Sequence, residues 1–251
     1  MAKIRLHQFL SKTGAFSVKK DIVDAIKCGK ITIKGKVITN PHYQVGPKDN
    51  VLFDGKELFK QKKKVYIILN KPEYYLSSKL TDYDIKERKK SVFSLLKGIK
   101  EDIKKTLFCV GRLDENSSGL LIITNDGDFS HKVTDPESKI RKSYEVELEK
   151  PISIAERQRI EQGITIVLEE NGIRTNYKTK PCKIEMKDKK SLVATFTEGK
   201  KREVRRLFGA VGNRVVKLKR IVIGKLDLYK LKIPEGKYIS VSEEFVKEKI
   251  E

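Results

Sequence analysis

The sequence predicts an α+β protein in which a small N-terminal α/β module precedes a larger domain built on a mixed, largely antiparallel sheet. Three observations predict it. Short apolar or alternating runs recur along the whole chain. Helical patterns fall between them without the even spacing of βαβ units. The polar, cationic segment 58–64 (Leu-Phe-Lys-Gln-Lys-Lys-Lys) separates a basic N-terminal stretch from the remainder, giving domains over 1–60 and 65–251.

In the first module, Leu6, Phe9 and Leu10 recur at helical spacing until Gly14 interrupts. Ile22, Val23 and Ile26 mark a second helix, with Gly29 as its C-terminal stop. Ile31 to Val37 alternates around a turn at Lys34-Gly35-Lys36, and Val51-Leu-Phe53 before Asp54-Gly55 is a further short strand. In the second domain, Val65 to Leu69 is an apolar strand closed by Asn70-Lys71-Pro72. Leu120 to Thr124 is another, closed by an Asn125-Asp126-Gly127 turn. Segments 144–148, 192–196 and 221–223 alternate or run apolar as strands, and helical patterns occupy 91–97, 154–162 and 203–211.

Composition narrows the function. The 251 residues carry 55 Lys and Arg against 34 Asp and Glu, a formal charge of +21, and residues 1–60 alone hold twelve basic and five acidic side chains. That excess points to a polyanionic partner, nucleic acid first, because each cation near a phosphate releases condensed counterions. At 38% hydrophobic and 35% charged the chain is polar, yet its regular apolar runs exclude a disordered polymer. No stretch approaches the roughly 18 apolar residues needed to span a bilayer, and the N-terminus lacks a signal pattern, so a cytoplasmic protein without membrane partners is expected. Cys28, Cys109 and Cys182 are scattered, as are His7, His42 and His131, which argues against a disulfide framework and a metal-ligand cluster.

Three segments can carry chemistry. In GRLDENSSGLLIITNDG (111–127), Asp114 lies in a polar loop bounded by Gly111 and Gly119 and followed by an apolar strand, a good device for aiming one carboxylate. A lone Asp there also serves as a turn cap. In EGKKREVRRLFGAVG (198–212), a basic loop runs into a helix presenting Arg205 and Arg206. Such a face contacts phosphates without sequence preference, or turns one Arg inward to hold a carboxyl ionised. Tyr144 opens a strand, either as a core aromatic or as a ring on which an unpaired base stacks.

Together, in this order, these segments resemble the pseudouridine synthases of the RsuA/RluB group, which modify ribosomal RNA. The resemblance runs from Asn70-Lys71-Pro72 with Ser77 and Ser78, through 111–127 and HKVTDPESKIRKSYEV (131–146), to 198–212 and the segment Val216 to Leu226. Residues 3–50 are similar to the small RNA-binding domain of ribosomal protein S-four, with Ser17-Val18 in place of the usual Ser-Arg pair and Lys34-Gly35 in place of Asn-Gly.

The resemblance implies a pseudouridine-synthase catalytic domain that needs no cofactor or metal. It breaks the C1′–N1 bond of one uridine and rejoins uracil through C5. Its indispensable Asp falls on Asp114, acting as a nucleophile or by removing a sugar proton. Its paired basic residue falls on Arg205 and its active-site Tyr on Tyr144, against the flipped base. Lys71, Arg112, Lys200, Lys201, Arg202 and Arg206 are the expected RNA contacts, positioning rather than reading bases. The expected partner is ribosomal RNA or an assembling subunit, 23S rather than 16S, bound by a monomer. The rival reading is a non-catalytic RNA-binding or ribosome-assembly factor that keeps the fold. Two departures stand out: Tyr74 occupies the position after Asn-Lys-Pro-x where the group has Gly, and Ser117 stands where Thr is common.

Overall fold

The computed structural model describes residues 3–16, 18–60, 63–170 and 172–250. Ser17 and residues 61 and 62 of the cationic connection lie outside them. Contacts divide the chain into two units: residues 1–65 with 78–108, and residues 66–77 with 109–251.

In the first unit, helices Leu6–Ser11 and Lys19–Lys27 place Leu6, Phe9, Leu10, Ile22 and Ile26 in a core with Ile31, Ile33, Val45 and Val51. A four-stranded sheet runs in the order Lys36–Val37, Ile31–Ile33, Val51–Phe53, Lys56–Glu57. The turn at Lys34-Gly35 forms with both residues in the left-handed region, φ 51° and 74°, the pairing that matches strand twist in a tight hairpin. The expected helix over 91–97 is instead a short 3-10 turn, Val92–Leu95, opened by the Ser91 hydroxyl, which accepts from the Phe93 N–H.

The second unit is organised by a mixed sheet whose main path runs Lys183–Met186, Ser191–Phe196, Lys142–Leu148, Val215–Ile223, Ser118–Thr124, Tyr66–Lys71, Tyr238–Val241. Along that path every pairing is antiparallel except Ser118–Thr124 with Val215–Ile223. Tyr66–Lys71 and Ser118–Thr124 are buried at every residue, which is why they read as unbroken apolar runs rather than alternations. One core gathers Tyr66, Ile68, Leu120 and Ile122 with Phe129 and Val133 of helix Gly127–Thr134 and with Val246 and Ile250 of helix Glu243–Ile250. A second gathers Val146, Leu192, Ala194, Phe196 and Leu218 with Ile160 of helix Ile154–Glu161 and with Val204, Leu207 and Phe208 of helix Glu203–Ala210.

Two expected strand ends differ. The first strand continues through Asn70 and Lys71, because both polar side chains find buried partners. The Asn125-Asp126-Gly127 turn opens a helix, with the Asp126 carboxylate accepting from the Asp128 and Phe129 N–H groups as its N-cap.

Candidate active site

Residues 112–118 form a loop that enters strand Ser118–Thr124 at the sheet's parallel seam, where Ser118 faces Lys219 and Gly119 faces Arg220. Gly119, at φ 101°, packs so closely that a Cβ there would lie 2.2 Å from the Arg220 carbonyl oxygen. Only Gly allows this approach, and it fixes the loop's exit.

Each carbonyl from Leu113 to Ser117 has its own donor. The Leu113 oxygen accepts from the Ser77 hydroxyl at 2.8 Å, and that hydroxyl accepts in turn from the Leu113 N–H at 3.2 Å. The Asp114 oxygen accepts from the Ser117 N–H at 3.1 Å, and the Glu115 oxygen from the Tyr74 N–H at 2.8 Å. The Asn116 oxygen accepts from the Arg205 guanidinium at 2.7 Å. The Ser117 oxygen accepts from the Lys71 ammonium at 2.7 Å, which also reaches the oxygens of Pro72 (3.0 Å) and Glu115 (3.3 Å). Pinning five consecutive peptide units leaves the Asp114 side chain aimed into an adjoining cleft by a rigid frame.

That cleft is lined by Arg112, Asp114, Tyr144, Glu198, Lys200, Arg202 and Glu203, with apolar walls from Leu113, Phe196, Val204 and Leu218. Tyr144 lies on Lys142–Leu148, whose ladder with Val215–Ile223 shifts register between Ser143 and Tyr144. Such a bulge re-aims the side chain that follows it. The Tyr144 ring meets Phe196 edge-on at 6.0 Å between centroids.

Arg205 reaches the loop from helix Glu203–Ala210, and it also donates to the Val215 carbonyl at 2.8 Å. Burial draws its pKa down, and the neighbouring Asp114 carboxylate is the first influence holding it up. Arg205 therefore joins the Asp114 loop to the helix that walls the cleft. Of the remaining expected contacts, Arg112 and Arg202 are exposed, and Lys200 lies over the Tyr177 ring with its ammonium 4.7 Å from the centroid. Lys201 and Arg206 are not among the lining residues; Arg206 donates to the Lys201 carbonyl at 2.9 Å instead.

Lys71 needs a correction. Expected as an RNA contact, it is 0% exposed, and its ammonium is committed to three loop carbonyls. Burial lowers its pKa to about 8, against the pull of Glu73, Asp114 and Glu115. It is a strut beneath the loop, not a phosphate ligand.

Two site residues escaped sequence reasoning. Glu198 and Glu203, 3% and 4% exposed, line the cleft's inner wall. Burial alone would raise Glu198, but Glu203 beside it and the donors Tyr177 Oη (2.5 Å) and Lys180 N–H (2.7 Å) outweigh this and hold its pKa low. Burial first, and then the Glu198 carboxylate, push Glu203 up to about 8. Glu203 accepts from the Lys200 N–H at 2.9 Å through Oε2. The available signal was an acidic residue three positions after the loop residue whose N–H it caps, a capping-box spacing.

A cleft with one rigidly aimed carboxylate, an aromatic ring on its wall and cations at its rim suits chemistry on a nucleoside drawn out of an RNA strand. Comparison with known proteins agrees. The sequence model of a family described as RNA pseudouridylate synthase matches residues 65–210, and that of the S4 domain matches residues 4–51. An RNA pseudouridine synthase of Aquifex aeolicus (strain VF5) is 36% identical over 246 residues, 98% of this chain and 95% of that one. A ribosomal small subunit pseudouridine synthase A of Yersinia pestis is 32% identical over 225 residues, covering 90% and 89% of the two chains. A crystal structure of a pseudouridylate synthase matches with a TM-score of 0.67 at 27% identity, over 99% of this chain and 100% of that one.

Proposed function

This chain belongs to the RNA pseudouridylate synthase family, isomerases of uridine in RNA, and on that premise we propose that it converts one uridine of ribosomal RNA to pseudouridine with Asp114, Tyr144 and Arg205 as its working set. The observation that carries the reading is the Asp114 loop, in which every carbonyl from 113 to 117 is bonded and the carboxylate opens on the cleft. A frame of that rigidity serves a reaction that must meet one sugar carbon.

In the proposed reaction the target uridine leaves its stack and enters the cleft. Asp114 acts on the sugar, as nucleophile or as base, while the C1′–N1 bond breaks. Uracil, retained against Tyr144, turns, the C1′–C5 bond forms, the C5 hydrogen leaves as a proton and N1 gains one, so substrate and product are isomers. Arg205 fixes the loop that carries Asp114 and keeps a positive charge beside it. Arg112, Lys200 and Arg202 at the cleft hold backbone phosphates, with residues 1–60 as a further RNA-binding module in the cytoplasm.

Neither relative described above is a large-subunit enzyme by name, and the one from Yersinia pestis is a ribosomal small subunit pseudouridine synthase. We therefore take small-subunit RNA as the first substrate to test. Carbodiimide labelling and primer extension across both large rRNAs, in the host and in a strain carrying Asp114→Asn at the native locus, should show one pseudouridine lost. An unchanged map with the protein expressed at its normal level would refute ribosomal RNA as the substrate and favour a binding-only protein.

A further inference from the structure

Tyr74 is held in a conformation that its side chain disfavours. Its φ is 65°, in the left-handed region where a Cβ crowds the backbone and Gly carries no such penalty. Its N–H donates to the Glu115 carbonyl at 2.8 Å, so the residue is pinned to the peptide next to Asp114. The same carbonyl accepts from Lys71, so Tyr74 is tied into the frame that positions the carboxylate. The residue, by contrast, is 67% exposed and its side chain is not among those of the hydrophobic cores. A disfavoured backbone, a fixed backbone anchor and a largely exposed side chain do not add up to a folding role.

We propose that the Tyr74 ring is a stacking platform for an unpaired RNA base adjacent to the uridine that enters the Asp114 cleft. This rests on the proposed RNA substrate and adds a subsite to it. The chemistry fits one occupant. An extruded nucleotide leaves its neighbours with an exposed face, and an exposed tyrosine ring on a backbone anchored to the loop offers a surface to cover it. Because the anchor is the residue after Asp114, a base stacked there would be tied through the backbone to the loop that carries the carboxylate. Tyr74 is thus a positioning residue that acts on substrate register, and it does not take part in proton or bond transfer.

The test uses full-length wild type, Tyr74→Phe and Tyr74→Gly, with a single-stranded oligouridylate as binding probe and host rRNA lacking the modification as substrate. Phe keeps the ring, and Gly removes it while relaxing the backbone, so unfolding cannot explain a loss in the Gly variant. We expect Tyr74→Phe within about twofold of wild type. Tyr74→Gly should bind oligouridylate and reach half-saturation with rRNA roughly 5- to 150-fold more weakly, the worth of one base–aromatic stack. Its kcat should be little changed and its thermal midpoint no lower. Equal binding by the Gly variant, or loss in both variants, would overturn the platform. If wild type leaves rRNA unmodified but binds oligouridylate through Tyr74, the substrate reading fails and the platform stands. If wild type does not bind oligouridylate, the platform itself is overturned.

Discussion

Replacing Lys71 by Met separates a loop strut from a phosphate contact. Lowering the ammonium pKa from 10.5 to about 8 corresponds to roughly 3.4 kcal/mol spent on keeping the charge buried. Against it stand three bonds to carbonyl oxygens, at 2.7, 3.0 and 3.3 Å. Each bond satisfies a loop carbonyl, and a buried oxygen left without its donor costs about 1–3 kcal/mol. Met fills the space but leaves the Ser117 and Pro72 oxygens without this donor. We expect about 1–2 kcal/mol of lost stability in urea unfolding at pH 7. The loosened Asp114 loop should lower kcat by about 10- to 100-fold, the scale set by misplacement of order 1 Å. RNA affinity should keep its salt dependence. The unfolded lysine holds its proton to 10.5 and the folded one only to about 8, so wild-type stability rises with pH across that window, and the variant lacks the rise. A salt slope shallower by about 0.7, with kcat intact, would mark Lys71 as a phosphate ligand and refute the strut.

Arg205 and Arg202 should part company in the same assays. Arg205→Ala frees the Asn116 and Val215 carbonyls and is expected to lower kcat by about 100-fold, whereas Arg202→Gly, at an exposed residue with φ 55°, should cost affinity by a few-fold only. Similar small losses in both would reduce Arg205 to a phosphate contact. Glu203 sets a pH dependence of stability. Folded, it keeps its proton to about pH 8, and unfolded only to 4.5, so wild type loses stability as pH rises between those values, by at most about 1.4 kcal/mol per pH unit. Glu203→Gln should abolish that fall, read as thermal midpoints at pH 5, 7 and 9, and parallel declines in both proteins would show that the carboxyl holds no extra proton.

Much of this architecture was legible where local chemistry decides it. The helix at 203–210, the Lys34-Gly35 turn and the buried strands follow from apolar period and turn preference, because their partners are near in sequence or unspecific. Asp114 and Tyr144 were found through the order of their motifs, and the structure brings both to one cleft. What escaped depends on distant partners. Asn70 bonds the Ile233 carbonyl, 163 residues away, and Lys71 bonds the Ser117 carbonyl, 46 away, so two polar residues that read as a strand end belong to the buried strand. The Glu198 and Glu203 pair was hidden for the same reason: in a run of Lys and Arg, acidic residues read as solvated until Tyr177 and Lys180 close over them. Residues 78–108 grouping with the N-terminal unit is likewise a tertiary fact with no local signature.

The central claim is that Asp114 performs chemistry on a uridine, and loss of the C5 hydrogen reports it directly. Purified wild type and Asp114→Asn would be incubated with host rRNA that lacks the modification and is labelled with tritium at uracil C5, with RNA affinity measured on the same preparations. The account predicts tritium release by wild type and none by the variant, at affinities within a few-fold of each other. Release by the variant at the wild-type rate, or none by either protein on RNA that both bind, would contradict it.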